Sequence, residues 1–178
     1  MSVAIVRHRP AELQAHHLAL VAAFGVVFAL DTFEAASYVA SLYRHTTRPD
    51  FRFFAARDGG KHGPLLGFAY GYTSLPGQWY HDSLAPALGP EQTARWLTGA
   101  YEFVEFGVVP EARCRGIGSR LHDAAFAGLP HRAAILSTPM DNAVAIAFYR
   151  RRGWQMLLED FIFPGGNRPF LIMGRTLP

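Results

Sequence analysis

The sequence predicts a mixed α/β fold in which one sheet carries helices on both faces. Strand-like and helix-like segments follow one another in the order β, α, α, β, β, β, α, β, α, β, β. Half of the 178 residues are hydrophobic and 17% are charged, a composition that excludes a disordered protein. The single cysteine, Cys114, excludes a disulfide scaffold and suits a reducing compartment. We therefore expect a cytoplasmic protein.

The N-terminal segment begins with a strand predicted over 2–7. A helix is expected from Pro10, because proline suits the first helical turn. Helical spacing places one set of side chains on the face expected to point inward: Leu13, His17, Leu20, Phe24 and Val27. The longest apolar run covers thirteen residues, 18–30, whereas a membrane span needs about 20. No membrane segment is therefore expected.

A second helix is predicted to begin after Asp31. Glu34 stands three residues later, which is the spacing of a capping box. This helix is expected to continue to about residue 45 and to turn four side chains inward: Phe33, Ala36, Ala40 and Tyr43.

A hairpin and an insertion follow. Strands are predicted over 51–57 and 64–72, joined by a turn at 58–60. Residues 73–99 are rich in proline, glycine and aromatic side chains, and we expect an irregular insertion with a short helix at 91–97. Its aromatic residues could stack on a ligand or fill a core, and core filling is favoured: Trp79, Tyr80 and Trp96.

The C-terminal half alternates strands with helices. Strands are predicted over 101–109, 133–138, 154–163 and 170–173, and a helix over 116–128. A second helix is expected from an N-cap at Asp141 through residue 152, with Gly153 past its end. Gly107, inside an otherwise bulky strand, indicates a bulge or a close approach of another chain segment, unless it is only a tolerated weak spot in the strand.

The loop at 113–119 has the composition of an anion-binding site. It joins a strand to a helix, whose N-terminus leaves main-chain N–H groups unpaired and carries partial positive charge. Two glycines permit a close approach, and Arg113 and Arg115 add charge, so a pyrophosphate would fit. The phosphate-loop lysine is missing, and Leu121 replaces the third glycine of a dinucleotide motif. A tight turn without a ligand is the alternative.

Two motifs give the chain a family resemblance. From Arg113 the loop reads R-x-x-G-x-G, and residues 142–154 read N-x-x-A-x-x-F-Y-x-x-x-G-W. In order and spacing these resemble the motifs of the acetyl-CoA-dependent N-acetyltransferases of the GNAT superfamily. The resemblance implies a single N-acetyltransferase domain over 3–175. It also implies a mostly antiparallel sheet of about seven strands, splayed between the fourth and fifth strands.

The resemblance further implies that acetyl-CoA is the co-substrate. Its pantetheine arm would lie in the splayed gap and pair with main chain near Val108 and Val109. Asn142 would hold the same arm, or else belong to a turn. Cys114 is interpreted as a small filler rather than a nucleophile. The pyrophosphate would rest on the amides of the loop residues Arg113, Cys114, Arg115, Gly116, Ile117, Gly118 and Ser119.

Acylation of an amine by a thioester calls for a general base, and the departing thiolate benefits from an acid. Glu102 and Glu105 are the candidate bases; their odd separation places them on opposite faces of an ideal strand. The two glutamates are nearly equal candidates for the base. For either one, the alternative to a catalytic role is a side chain that is exposed or paired with an arginine. Tyr149 matches the family tyrosine that protonates the thiolate, and its alternative is packing on a buried helix face.

Other ligand classes are disfavoured. The histidines show no metal-ligand spacing, so no metal is expected. The net charge of +3 is scattered, which favours small anionic ligands over nucleic acid. The expected activity is acetyl transfer to a primary amine of an unidentified acceptor. A non-catalytic acyl-CoA-binding module is the alternative, and a homodimer through the C-terminal strands is possible.

Overall fold

The computed structural model describes residues 2–178. Seven strands are present: β1 Val3–His8, β2 Arg52–Asp58, β3 Leu65–Thr73, β4 Tyr101–Val108, β5 Ala133–Pro139, β6 Gln155–Ile162 and β7 Pro169–Thr176. The α-helices are α1 Pro10–Leu13, α2 His17–Phe28, α3 Thr32–His45, α4 Trp79–Trp96, α5 Ile117–Phe126 and α6 Ala143–Arg150.

The strands form one sheet in the order β1-β2-β3-β4-β5-β7-β6. β4 and β5 run parallel, and the other neighbours are antiparallel. The parallel register places Tyr101 opposite Ala134 and Glu102 opposite Ile135, at the first residues of both strands. The predicted fold class, a mixed and mostly antiparallel sheet of about seven strands with helices, is confirmed.

The chain forms two compact units. The first unit contains residues 2–72 and Glu105–Leu129, and the second contains Thr73–Val104 and Pro130–Pro178. The expectation that residues 3–175 form one N-acetyltransferase domain stays a prediction.

The core of the first unit is built on stacked aromatic rings. Phe24 of α2 lies on Phe68 of β3 with a centroid separation of 4.2 Å and an interplanar angle of 8°. Both side chains are fully buried, together with Leu13, Leu20 and Leu42 from the three helices. Apolar burial of this kind is the main favourable term in folding.

The N-terminal helix is interrupted, whereas the sequence predicted a continuous one. A 3₁₀ turn at Gln14–His16 separates α1 from α2. Each residue in that turn advances the chain by about 120° instead of about 100°, which changes the phase of the side chains at the turn. Leu13, Leu20 and Phe24 are nevertheless buried, as predicted. The predicted inward position of His17 is wrong: His17 is exposed, and its Nδ1 lies 3.0 Å from the Tyr43 hydroxyl.

Together these segments make a helical stretch, Pro10–Phe28, that is long and apolar enough to cross a membrane by length and composition alone. Its mean hydropathy is 1.4 over the 18-residue window, and 22% of that window is buried. The stretch is weak evidence for a span, because helices from protein cores pass the same test. Leu20, Ala23 and Phe24 of this helix are buried in the protein.

Helix α3 begins with the predicted capping box. Glu34 N–H donates to Asp31 Oδ1 at 2.8 Å, and Asp31 N–H donates to Glu34 Oε2 at 3.0 Å. The buried face is not the predicted one: Ala35, Val39 and Leu42 are buried, whereas Phe33 is 84% exposed. The helix carries two apolar stripes of different phase, and the spacing alone did not show which stripe packs inward.

Within the predicted insertion at 73–99, helix α4 covers Trp79–Trp96. The expectation of irregular structure is therefore wrong for 79–90, whereas the short helix expected at 91–97 overlaps the end of α4. Helix α4 is kinked at Gly89, which has a φ of 72°, and Pro90 follows the kink. A glycine accommodates this left-handed backbone without strain, and a proline is tolerated where a helix starts again.

Helix α4 supplies the core of the second unit. Tyr80 and Trp96 are buried there with Leu84 from the same helix and Ile135 and Ile172 from the sheet. Core filling is therefore confirmed for the two buried aromatics. The third predicted aromatic side chain, Trp79, is 61% exposed and stacks on Phe163 at 5.2 Å instead.

Helix α6 is capped by Asn142, not by Asp141 as predicted. The Ala145 N–H donates to Asn142 Oδ1 at 3.1 Å, and the helix begins at the residue after the asparagine. Asp141 accepts a hydrogen bond from Arg168 at 2.7 Å instead. Aspartate and asparagine both cap helices well, so the sequence alone could not show which of these two neighbouring residues forms the cap.

Two substitutions on α3 test which stripe faces inward. We expect Leu42→Ala to lower the free energy of unfolding by about 2–5 kcal/mol, because it leaves a cavity in the core. Phe33→Ala on the same helix should change it by less than about 0.5 kcal/mol. Urea denaturation of both variants measures the difference, and equal destabilisation would contradict the described packing.

Candidate active site

The predicted site residues occur in both units. The first unit contains Glu105, Val108, Val109 and the loop at 113–119. The second unit contains Glu102, Asn142 and Tyr149.

The loop of the first unit reverses the chain between β4 and α5. After a 3₁₀ turn at Pro110–Ala112, two residues adopt left-handed backbone, Cys114 with a φ of 59° and Gly116 with a φ of 73°. Gly116 is the N-cap of α5. Cys114 is exposed, and its side chain fills no core space.

The N-terminus of α5 presents unpaired donors. The first hydrogen bond of the helix joins the Arg120 N–H to the Gly116 carbonyl oxygen at 3.1 Å. The N–H groups of Gly116, Ile117 and Gly118 donate to no acceptor within residues 2–178. Ile117 is buried and fixes the helix start, while Arg113 and Arg115 are exposed beside it. This arrangement fits an anion, as predicted from the loop composition.

The end of β4 is held by hydrogen bonds within the first unit. The Val109 N–H donates to the Leu66 carbonyl oxygen at 2.9 Å, and the Val109 carbonyl oxygen accepts from the Ala112 N–H at 2.9 Å. Arg113 Nε donates to the Val108 carbonyl oxygen at 3.1 Å. The Val109 N–H therefore has no capacity left for a ligand, and the Val108 carbonyl keeps one lone pair. The expected pairing of a pantetheine arm at these two residues stays a prediction.

A close approach at Gly107 was one of the two alternatives predicted, and it is present. A Cβ atom at Gly107 would lie 2.2 Å from Val27 Cγ1, and a Cβ at Gly67 would lie 2.6 Å from the Gly107 carbonyl oxygen. Sequence reasoning did not identify Val27 or Leu66 as supports of β4. The glycine at position 67, which faces β4, is the one signal that could have indicated contact there.

Glu105 lies on β4 two residues before Gly107. It is partly buried, and burial raises the pKa of its carboxyl group to about 8. It forms no ion pair with any of residues 2–178, so the arginine-paired alternative does not apply to it. A carboxyl group with a pKa near 8 can exchange a proton with an amine near neutral pH.

The candidates of the second unit are buried or committed to packing. Glu102 is 4% exposed, and Tyr149 is 7% exposed with its ring edge against Trp154 at 5.8 Å. Asn142 is exposed, and its side-chain oxygen caps α6. The structure thus shows a packing contact for Tyr149 and a capping role for Asn142. Their roles toward a cofactor stay predictions.

Within residues 2–178, no group of three or more His, Cys, Asp or Glu side chains is placed to hold a metal ion. The first unit thus holds a candidate anion site at the start of α5, and Glu102 and Glu105 are titratable groups on β4.

A comparison with protein families shows where the chain belongs. Residues 22–154 match the acetyltransferase (GNAT) family. The chain belongs to this family.

Individual relatives differ in how much of the chain they match. A GCN5-like protein acetyltransferase of Mycobacterium tuberculosis is 37% identical over 125 residues, which are 65% of this chain and 60% of that protein. The chain therefore spans less than two thirds of the curated relative. The crystal structure of a nourseothricin acetyltransferase is similar with a TM-score of 0.52 and 25% identity, over 73% of this chain and 67% of that one.

A third comparison concerns the fold alone. The ribosomal-protein-S18-alanine N-acetyltransferase of Escherichia coli has a TM-score of 0.66 at 14% identity. The match covers 99% of this chain and 94% of the other.

The raised pKa of Glu105 predicts a pH dependence of stability. Between pH about 4.5 and about 8 the unfolded state releases this proton and the native state retains it, so the free energy of unfolding should fall as pH rises. Glu105→Gln removes this contribution. Urea denaturation from pH 4.5 to 8 should show the wild type losing stability relative to the variant. If the free energies of unfolding of the wild type and the variant change in parallel with pH, the raised pKa of Glu105 is contradicted.

Proposed function

We propose that this protein transfers an acetyl group from acetyl-CoA to a primary amine. The observation that carries the proposal is the unpaired N–H groups at the start of α5, flanked by Arg113 and Arg115, in a member of the GNAT family. A helix N-terminus with two arginines recognises a diphosphate, and coenzyme A carries one.

The loop residues have separate roles in this proposal. Gly116, Ile117 and Gly118 would donate main-chain hydrogen bonds to the diphosphate. Arg115 would add charge, because its side chain is exposed beside them. Arg113 would mainly hold the loop in place, since its Nε already donates a hydrogen bond to the Val108 carbonyl oxygen.

Glu105 is the general base favoured by its surroundings. Its raised pKa matches the proton affinity of an amine better than an ordinary carboxylate does. Glu102 is 4% exposed and could act only through a water molecule or another side chain. We therefore assign the base to Glu105 and keep Glu102 as the alternative that kinetics can distinguish.

The reaction needs no covalent enzyme intermediate. Glu105 takes one proton from the ammonium group, and the neutral amine nitrogen then attacks the thioester carbonyl carbon. The carbon–sulfur bond breaks to give the amide and the thiolate of coenzyme A. Tyr149 would protonate this thiolate, which requires its hydroxyl group to reach the sulfur, and the second proton lost by the nitrogen would restore the tyrosine. No metal takes part in this proposal.

The acceptor could be a small molecule or a protein amine. The relatives include a protein acetyltransferase and a nourseothricin acetyltransferase, and these names extend to this chain only as candidates. A homodimer, a cytoplasmic location and the absence of nucleic-acid and membrane partners also remain predictions.

A charge placed in the loop tests the cofactor site. Gly116 has a φ of 73°, and nothing lies within 4 Å of a Cβ built there, so Gly116→Asp and Gly116→Asn impose the same backbone strain. Only the aspartate repels a diphosphate. We expect it to weaken coenzyme A binding at least about tenfold relative to the asparagine variant. Calorimetry with coenzyme A and with pantetheine, which has no diphosphate, makes the comparison.

Equal affinity of the two variants for coenzyme A would contradict the assignment of the loop. An aspartate effect that also appears with pantetheine would show that the diphosphate is not what the loop recognises.

Thiol release with a panel of amines tests the catalytic assignments. For the wild type, kcat/KM should fall below a pH near 8, because Glu105 must be deprotonated to act as the base. Glu105→Gln should lower kcat about 10²–10⁴-fold and abolish the fall of kcat/KM below pH 8, which we call the acid limb of the pH profile. Tyr149→Phe should lower kcat with little change in coenzyme A affinity.

If Glu102→Gln abolishes the acid limb of the pH profile and Glu105→Gln leaves it intact, the base is Glu102. If coenzyme A binds and no amine in the panel releases thiol, the non-catalytic acyl-CoA-binding function replaces the proposed one.

A further inference from the structure

Arg120, in the first turn and a half of α5, joins the candidate anion loop to a strand far away in the sequence. Its main-chain N–H donates to the Gly116 carbonyl oxygen at 3.1 Å, which is the first hydrogen bond of the helix. Its side-chain Nη2 donates to the carbonyl oxygen of Val3 in β1 at 2.8 Å, across 117 positions of the chain. All three residues belong to the first unit. One residue therefore binds both the N-cap of α5 and strand β1.

The Val3 carbonyl oxygen lies at the open edge of the sheet. β1 is an edge strand beside β2. Neighbouring carbonyl groups of an extended chain point to opposite sides, and the Ser2 carbonyl oxygen accepts the N–H of Gly59, the residue after β2, at 2.9 Å. The Val3 carbonyl oxygen therefore points away from β2. Arg120 thus takes an acceptor that pairing with β2 leaves open.

The donors of the loop depend on the direction of the first turn of α5. Gly116 and Gly118 have no side chains that could anchor this turn, and Ile117 is its buried residue. A helix start that is anchored at one point can pivot about that point, whereas a second anchor fixes its direction. The hydrogen bond from Arg120 to β1 supplies the second anchor. Donors held in one direction bind an anion with a smaller loss of entropy.

From these contacts we infer that Arg120 is a positioning residue that couples β1 to the diphosphate site. Its side chain holds the first turn of α5 in the direction in which the N–H groups of Gly116, Ile117 and Gly118 bind a diphosphate. This coupling rests on the proposed function of the loop. A coupling free energy is reciprocal, so a bound diphosphate must also strengthen the attachment of β1 to α5.

Calorimetry with coenzyme A measures the first half of the coupling. Arg120→Met removes the donor and keeps a long side chain. Because the hydrogen bond lies at the surface, coenzyme A binding should weaken about threefold to tenfold. Binding of pantetheine, which has no diphosphate, should not change. Arg120→Lys keeps a donor for the Val3 carbonyl oxygen and should restore most of the affinity. An Arg120→Met variant that binds coenzyme A as the wild type does would overturn the positioning role.

Salt distinguishes positioning from a direct contact between Arg120 and the diphosphate. Salt screens the attraction between exposed charges, but it does not change the direction of main-chain donors. The ratio of the wild-type to the Arg120→Met affinity for coenzyme A should therefore be the same at about 0.05 M and about 0.5 M sodium chloride. A ratio that falls toward one at the higher salt concentration would assign Arg120 to direct charge contact and overturn the positioning role.

Hydrogen exchange of β1 measures the reciprocal half. Saturating coenzyme A should slow amide exchange over Val3–His8 in the wild type by about the same threefold to tenfold factor, because the coupling acts equally in both directions. Pantetheine should not slow it, and coenzyme A should not slow it in Arg120→Met. This measurement decides the question on the wild type alone if Arg120→Met does not fold. Exchange over β1 that is insensitive to coenzyme A would overturn the coupling.

The other end of α5 offers a matched control. Arg52 of β2 donates from Nη1 to the Ala127 carbonyl oxygen at 2.8 Å and from Nη2 to the Gly128 carbonyl oxygen at 2.9 Å. Arg52→Met should lower the midpoint of thermal unfolding but change coenzyme A affinity less than about twofold, because a helix end can loosen locally without moving the other end. If Arg52→Met weakens coenzyme A binding as much as Arg120→Met does, Arg120 only stabilises the helix and the positioning role is overturned.

The Gly116 variants separate failure of this coupling from failure of the proposed function. If Gly116→Asp and Gly116→Asn bind coenzyme A equally, the loop is not the diphosphate site, and both proposals are overturned. If those two variants differ as expected while Arg120→Met binds coenzyme A as the wild type does, the diphosphate site stands and only the positioning role of Arg120 is overturned.

Discussion

The hydrogen bond from the Val109 N–H to the Leu66 carbonyl oxygen fixes the point at which β4 ends. Beyond it the chain enters the 3₁₀ turn and the two left-handed residues that aim the start of α5. The donors at Gly116, Ile117 and Gly118 keep their direction because Ile117 is buried behind them. An anion site made of main chain needs such support, since flexible donors would lose entropy when they bind.

Glu105 and the loop use the same strand in opposite ways. The loop presents unpaired N–H groups and two arginines, which favour negative charge, whereas burial at Glu105 disfavours the charged carboxylate and raises its pKa. A carboxyl group that is largely neutral near pH 7 would add little repulsion toward a diphosphate at the proposed site.

Sequence predicted the elements that have strong local signals. The capping box at Asp31 and the seven strands along the chain have such local signals, and the structure confirms both. The anion-binding role of the 113–119 loop stays a prediction. The buried face of α3 was mistaken because two apolar stripes compete and only tertiary packing selects one. Only the end of helix α4, at 91–97, was predicted as helical, because Pro86, Gly89 and Pro90 indicate irregular structure before it, although a kinked helix accommodates all three.

The contact between Val27 and Gly107 has an evolutionary consequence. A methyl group added at position 107 would overlap Val27 Cγ1, so a bulkier residue can enter β4 there only if position 27 loses its branch. The two positions, eighty residues apart in the chain, should therefore be inherited as a pair. In a collection of homologous sequences, chains with a side chain at the strand position should carry glycine or alanine at the helix position.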